Sequence, residues 1–269
     1  MVSTSDLLHH TRRGPVTLLT MNRPERRNAL TADLLDRVRE AMQIADGEPE
    51  TRAVVLTGAG GFFSSGADLR GESLGAERVL RDHYEPLITT MVGLGVPIVA
   101  AIDGFAVGAG ASIALACDFR VMASDAFVYV PFAGIGLIPD AGLTWLLPRT
   151  VGAARAAQIC MLDERVDAAT AHAWGIATAV AETTSSLDRA LELATALAAR
   201  SSSLGAVKAA LATSWTRDLA DHMVFEREVQ QRLQALPDYP AAVAAFREHR
   251  PPTFGPRPVP GPTHRGELT

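Results

Sequence analysis

The chain has 269 residues, of which 48% are hydrophobic and 20% charged, with a formal net charge of −5 and a pI near 5.8. That make-up suits a globular protein with a sizeable core, and an acidic balance without a basic stripe excludes general nucleic-acid binding. The two cysteines, Cys117 and Cys160, have no metal or redox spacing, so both read as free thiols of a reducing compartment, with a cytoplasmic location expected.

Residues 1–15 contain no apolar core of a signal peptide. Residues 16–22, VTLLTMN, read as a strand followed by a basic loop, NRPERRNAL. Thr31 is a candidate N-cap for a helix to about Asp46, with Leu34, Leu35, Val38 and Met42 on one face. Short buried strands are expected at 53–58 and 96–103. A glycine loop then leads into a helix over 108–117, and strands follow at 119–124 and 126–130. This alternation predicts an α/β architecture with crossover units. Two apolar stretches, 96–117 and 126–147, are interrupted by Asp103 and glycines or by Pro131, Pro139 and Asp140, so neither is expected to span a membrane.

From about Ala153 the pattern turns helical. Residues 167–175 have an Asp N-cap and a Gly stop; further helices are expected over 186–199, 206–212, 219–234 and 241–249. The division expected is a core over 1–200, a helical region over 201–254, and a Pro/Gly-rich tail over 255–269, extended or disordered.

Three segments carry candidate chemistry. DGFAVGAGAS (103–112) follows a strand and opens a helix, a junction that exposes backbone N–H groups to an anion or oxyanion; close packing of small residues explains it equally well. Ile113 replaces the last glycine of a dinucleotide fingerprint, and the Gly-Lys-Ser/Thr ending of a phosphate loop is absent. FFSSGADL (62–69) is a second small-residue loop after a strand, either a turn capped by Asp68 or a second source of N–H groups. GIGLIPDAG (134–142) holds a lone carboxylate, Asp140, in a stretch otherwise free of charge from 126 to 147. A buried carboxylate without a partner is costly or takes up a proton, so Asp140 is either a turn residue reaching water or a group kept for chemistry. No nucleophile elbow is present, and the seven histidines are scattered without metal-ligand spacing.

In this order, FSSGADL, VPIVAAIDGFAVGAGASIALACDFRVMASDAFV and GIGLIPDAGLTWLLPRTVG resemble the crotonase superfamily of enoyl-CoA hydratases and isomerases. MNRPERRNAL, HAWGIATAVAE and AFREHRPPTFG extend the resemblance from about Thr17 to Phe254. It implies a spiral of ββα turns, a helical trimerisation region, and homotrimers or dimers of trimers. The substrate implied is an acyl-CoA thioester, with no metal or redox cofactor. It also implies an oxyanion hole from the N–H groups of Ala67 and Ala109. Coenzyme A contacts are implied at Arg26, Ala29, Ser65, Asp68, Leu69 and Arg70.

The two glutamates of true hydratases fall on Ser112 and Phe132 here, neither of which serves as acid or base at neutral pH. Asp140 matches the acid of isomerase branches, and GLIPDAGLTWLLPR resembles most the ring-epoxide and 3-enoyl-CoA isomerase branch. The resemblance therefore implies an isomerase in which Asp140 moves the proton and Phe132 shapes the acyl pocket. Two alternatives stand beside it. One is a hydratase using Glu72, Glu77 or Glu85; the other is a member that binds acyl-CoA without turnover. Leu143 stands where relatives carry a second glycine.

Overall fold

A computed structural model describes residues 7–70, 75–182 and 186–258. The chain opens with a hairpin, β1 (Leu8–Arg13) and β2 (Val16–Met21), then α1 (Ala32–Gly47) and β3 (Ala53–Gly58). A short helix α2 (Ala76–Val79) passes through one π-helical turn (Leu80–Tyr84) into α3 (Glu85–Gly93). The next elements are β4 (Ile98–Ile102), β5 (Phe105–Val107), α4 (Ala109–Ala116), β6 (Phe119–Ala123) and β7 (Phe127–Tyr129). Then come α5 (Leu143–Val151), α6 (Ala153–Met161), β8 (Val166–Asp167), α7 (Ala168–Ala173) and β9 (Ala179–Ala181). Four helices follow: α8 (Ser186–Ala198), α9 (Leu204–Thr213), α10 (Leu219–Gln234) and α11 (Asp238–Arg247).

Two sheets organise the core. One has six strands in the order β1-β2-β3-β4-β6-β9, parallel except for the first hairpin; the other has three, β5-β7-β8. A strand of the large sheet is followed by a strand of the small one and then a helix: β4-β5-α4, then β6-β7 and α5. An isolated bridge between Ser64 and Ala106 gives the stretch after β3 the same place. This is the expected ββα spiral.

The central strands of the large sheet, β2, β3, β4 and β6, are buried on both faces, their alternate residues serving opposite sides. Val54, Leu56, Ile98, Ala100 and Ile102 join the main core with α1 and α3. Val55, Val99, Ala101 and Val121 face the opposite way, under α8. Helix α8 presents Ala190, Ala194 and Ala198 to that face, a small-residue stripe at helical spacing that allows close approach.

Thr31 caps α1, its hydroxyl accepting from the Leu34 N–H, and Asp167 caps α7 by accepting from Thr170. Both caps match the expectation. Three features differ from it. The glycine loop before α4 contains a strand, β5. The region after Ala153 is not wholly helical, because β8 and β9 lie in it. Strands of two or three residues are too short to show alternation in sequence. Helices α2 and α3 were not among the expected elements, and Leu87 and Met91 of α3 are fully buried.

Of the expected tail, 255–258 is extended and tethered: the Arg257 guanidinium donates to Thr51 O and pairs with Asp46 at 3.2 Å. Residues 259–269 lie outside the described residues.

Candidate active site

Four segments carry the expected site residues: the NRPERRNAL loop, the loop after β3, the turn that opens α4 and the loop before α5; hydrogen bonds join the first three, and Ser112 of α4 holds the fourth. Asn28 is the hub of the first. It adopts a left-handed φ of 54° and is fully buried. Its side-chain oxygen accepts from Arg23 N–H at 2.9 Å, and its amide nitrogen donates to Ala59 O at 2.9 Å and Phe62 O at 2.7 Å. The Ser64 hydroxyl donates to Asn28 O at 2.8 Å and accepts from Gly66 N–H at 3.1 Å. The NRPERRNAL loop is thereby fastened to the loop after β3.

That fastening decides where Ala67 points. Leu30 N–H donates to Gly66 O and Asp68 N–H donates to Leu30 O, so the bridge to Leu30 uses the residues on either side of Ala67. The Ala67 N–H is directed away from the bridge, and Ala67 is exposed. Ala109 is the first residue of α4, where an N–H has no acceptor within the helix. Gly108 precedes it with a φ of 54° and ψ of −124°, a conformation that favours glycine.

The two donors belong to adjoining loops: Val107 N–H donates to Ser64 O at 2.9 Å, and a Cβ on Gly66 would lie 2.7 Å from Val107 O and 3.5 Å from Ala109 N. Gly66 and Gly110 admit this approach; a Cβ on Gly110 would lie 2.8 Å from the Ser64 Cβ.

The residues expected to hold coenzyme A lie on the same two loops. Ser65 N–H donates to Arg27 O at 2.9 Å and its hydroxyl to Arg26 O at 3.3 Å; Ala29 N–H donates to Arg26 O at 3.1 Å. Arg26, Leu69 and Arg70 are exposed and Ala29 is buried. Asp68 is already engaged. It pairs with Arg23 at 2.9 Å and accepts from the Arg70 N–H at 3.1 Å. Partial burial works against its charge, but the Arg23 and Arg70 hydrogen bonds outweigh it and hold the carboxyl below its usual range. Asp68 therefore braces the loop.

Asp140 occupies the loop before α5. Ala141 has a φ of 49°, uncommon for a residue with a Cβ, and Gly142 a φ of 78°. The Asp140 main-chain carbonyl accepts twice, from Leu143 N–H at 3.0 Å and from the Ser112 hydroxyl at 3.0 Å. Ser112, at one hydratase-glutamate position, thus pins the backbone of the carboxylate that follows it by 28 residues.

The Asp140 side chain is treated differently: its Oδ1 is buried and has no partner among the described residues. Burial raises its pKa, only partly offset by its own backbone N–H. Phe132, at the other glutamate position, is buried, and its ring edge lies 3.9 Å from where a Gly108 Cβ would stand. Leu143 is fully buried at the start of α5.

Of the alternative acids, Glu77 is exposed and pairs with Arg81 at 2.9 Å, and Glu85 is exposed on α3. Glu72 lies outside the described residues. Two residues that sequence reasoning missed emerge here. Asn28 could have been suspected from an Asn after two arginines in a loop, because Asn tolerates left-handed backbone. Tyr84, whose buried hydroxyl lacks a partner among the described residues, gave no local signal.

Comparisons with known proteins identify the family. The model of the enoyl-CoA hydratase/isomerase family matches residues 11–257. The chain is 34% identical over 256 residues to the 1,2-epoxyphenylacetyl-CoA isomerase of Escherichia coli K12, covering 92% of this chain and 97% of that one. It is also 34% identical over 247 residues to the 2,3-dehydroadipyl-CoA hydratase of the same organism, covering 90% and 96%. The crystal structure of an enoyl-CoA hydratase from Polaromonas sp. JS666 superposes with a TM-score of 0.86 at 32% identity, covering 92% of this chain and 99% of that one. Carrying the ββα spiral and the paired glycine loops, the chain belongs to the enoyl-CoA hydratase/isomerase family of the crotonase superfamily.

Proposed function

We propose that the protein is an acyl-CoA isomerase that shifts a double bond, or isomerises a ring epoxide, through an enolate held by two backbone N–H groups. The observation that carries this reading is Asp140: one carboxylate oxygen is buried without a partner among the described residues, while its main chain is tied down by Ser112 and Leu143. Ser112 and Phe132 at the two glutamate positions leave no second acid or base of the hydratase kind beside it.

The thioester carbonyl sits between the N–H groups of Ala67 and Ala109. For a 3-enoyl ester, the Asp140 carboxylate takes a proton from the α-carbon. The electron pair moves onto the thioester oxygen, where the two donors stabilise the developing charge; such a donor contributes about 2.7–4 kcal/mol. Asp140 then returns the proton to the γ-carbon, and the thioester re-forms with the double bond conjugated. Proton transfer of this kind favours a carboxyl whose pKa is raised toward the working pH. The Phe132 ring excludes water from the reacting carbons.

Arg26, Ala29, Ser65, Asp68, Leu69 and Arg70 form the coenzyme A side of the site, with Arg26 and Arg70 free to meet phosphates. The thioester supplies the acidity, so no further cofactor is required. The protein works in the cytoplasm as a homotrimer or a dimer of trimers; exposed Leu211, Trp215, Leu219 and Phe246 on and between the C-terminal helices support self-association.

The likeness to a named hydratase favours a second reading, hydration of a 2-enoyl ester. The two are separated by one pair of assays. Purified protein is given 3-hexenoyl-CoA, with conjugation followed in the ultraviolet, and separately crotonyl-CoA, with loss of conjugation followed. Conjugation of the first that far outpaces hydration of the second is the expected result; the reverse ratio would favour the hydratase.

A further inference from the structure

Two buried polar atoms on neighbouring segments lack a partner among the described residues: Asp140 Oδ1 and the Tyr84 hydroxyl. Tyr84 ends the single π-helical turn between α2 and α3, and it is only 3% exposed. Such turns interrupt the regular register of a helix and frequently sit at functional sites.

The packing puts Tyr84 beside the Asp140 loop. Ile88 lies four residues further on the same helical face, and a Cβ at Gly142 would stand 3.4 Å from Ile88 Cγ2. Burial first, and then the negative charge of Asp140, hold the Tyr84 proton on. The phenol therefore stays protonated at neutral pH and is available as a hydrogen-bond donor.

A buried hydroxyl left unpaired costs about 1–3 kcal/mol, so this pair is poorly explained by packing alone. A hydrocarbon acyl chain would not relieve the cost. Its only polar group near the chemistry, the thioester carbonyl, is taken by Ala67 and Ala109.

We infer that Tyr84 is a substrate-binding residue that donates a hydrogen bond to an oxygen atom on the acyl group, and that the site prefers oxygen-bearing acyl-CoA thioesters (hydroxyl, keto or epoxide) over the plain enoyl chains that it also accepts. The inference rests on Asp140 lining the acyl pocket, as in the reading above. It gives the buried Tyr84 hydroxyl, unpartnered among the described residues, a role beside Asp140. A site that hydrogen-bonds a substrate oxygen discriminates strongly against analogues without it, because its own groups are then left unpaired.

The test is a comparison of dissociation constants by calorimetry. The probes are butyryl-CoA, both enantiomers of 3-hydroxybutyryl-CoA, and 4-hydroxybutyryl-CoA, each measured against wild type and Tyr84→Phe. The substitution removes one oxygen and keeps the ring, and its melting curve verifies folding. The expected result is that at least one hydroxylated ester loses about tenfold in affinity, the size of one hydrogen bond, while butyryl-CoA binds unchanged or tighter. An unchanged ratio of every hydroxylated ester to butyryl-CoA overturns the inference. Because binding is read without turnover, this outcome is separate from the isomerase assay. Failure of wild type to conjugate 3-hexenoyl-CoA bears on the reaction, whereas the affinity ratios decide Tyr84.

Discussion

The loops that present Ala67 and Ala109 and the loop that presents Asp140 solve opposite problems. In the first pair, the polar side chains of Arg23, Asn28, Ser64, Ser65 and Asp68 are all bonded, and what is left over is backbone: the N–H groups of Ala67 and Ala109, on loops braced by those bonds. In the Asp140 loop the backbone is satisfied twice over at the Asp140 carbonyl, and what is left over is a side chain, a buried carboxylate oxygen without a donor among the described residues. One region holds fixed dipoles ready for charge; the other holds a group whose charge is disfavoured until it is used. Electrostatic preorganisation needs the former and proton transfer the latter.

Replacing Asp140 by Asn tests this contrast at its strongest point. Isomerisation should fall by about 10²–10⁴-fold, the usual contribution of a general acid–base group. Stability should move the other way. A carboxyl with a raised folded-state pKa contributes its stability below the unfolded pKa and loses it as pH rises through the folded one. At neutral pH the charged Asp140 is thus a burden, and Asp140→Asn should melt at a higher temperature than wild type. A variant both inactive and less stable would mean that the carboxylate is paired in solution.

The next largest effect is expected at Gly66. Its φ of 86° and the 2.7 Å approach to Val107 O leave no room for a methyl group. Gly66→Ala should displace the Ala67 N–H and lower kcat by about 10²–10³-fold, as loss of an oxyanion donor does. KM for the acyl-CoA should change far less; a change confined to KM would argue against Ala67 as a donor.

Asn28→Ala should act mainly on stability. It strips partners from Arg23 N–H, Ala59 O and Phe62 O, and a melting experiment should show a loss of about 2–4 kcal/mol. If the protein melts normally, the hub is elsewhere.

Ser112→Ala removes one hydrogen bond to the Asp140 carbonyl. It should cost about 1 kcal/mol and a few-fold in kcat, with the Asp140 loop otherwise intact. The pH profile gives the mildest test. Asp140 must be ionised to take the α-proton, so kcat/KM should decline toward acid with a midpoint above the ordinary aspartate value. A midpoint at or below that value would remove burial from the account.

How much of this was legible in the chain depends on how local each signal is. Thr31 and Asp167 announce their helices because a cap is a contact between neighbours in sequence. Asp140 stood out because it is the lone charge in an apolar stretch, and both glycine loops because a close approach of backbones requires glycine. The strand within the glycine loop, β5, was hidden by its three-residue length. The docking of Arg257 on Asp46 and Thr51 spans more than 200 residues and leaves no local trace. Tyr84 was hidden for the same reason, since the absence of a partner for its hydroxyl is a property of the packed site. Ser112 read in sequence as a missing glutamate; only the fold gives it work, as the tie that holds Asp140 in place.

One labelling experiment goes to the centre of the account. 3-Hexenoyl-CoA deuterated at the α-carbon is converted by wild type, and the conjugated product is analysed for its isotope at the γ-carbon. A single buried carboxylate that carries the proton from one carbon to the other should deliver a substantial share of the deuterium there. A product whose γ-hydrogen comes wholly from solvent, formed at a rate indifferent to Asp140→Asn, would contradict it.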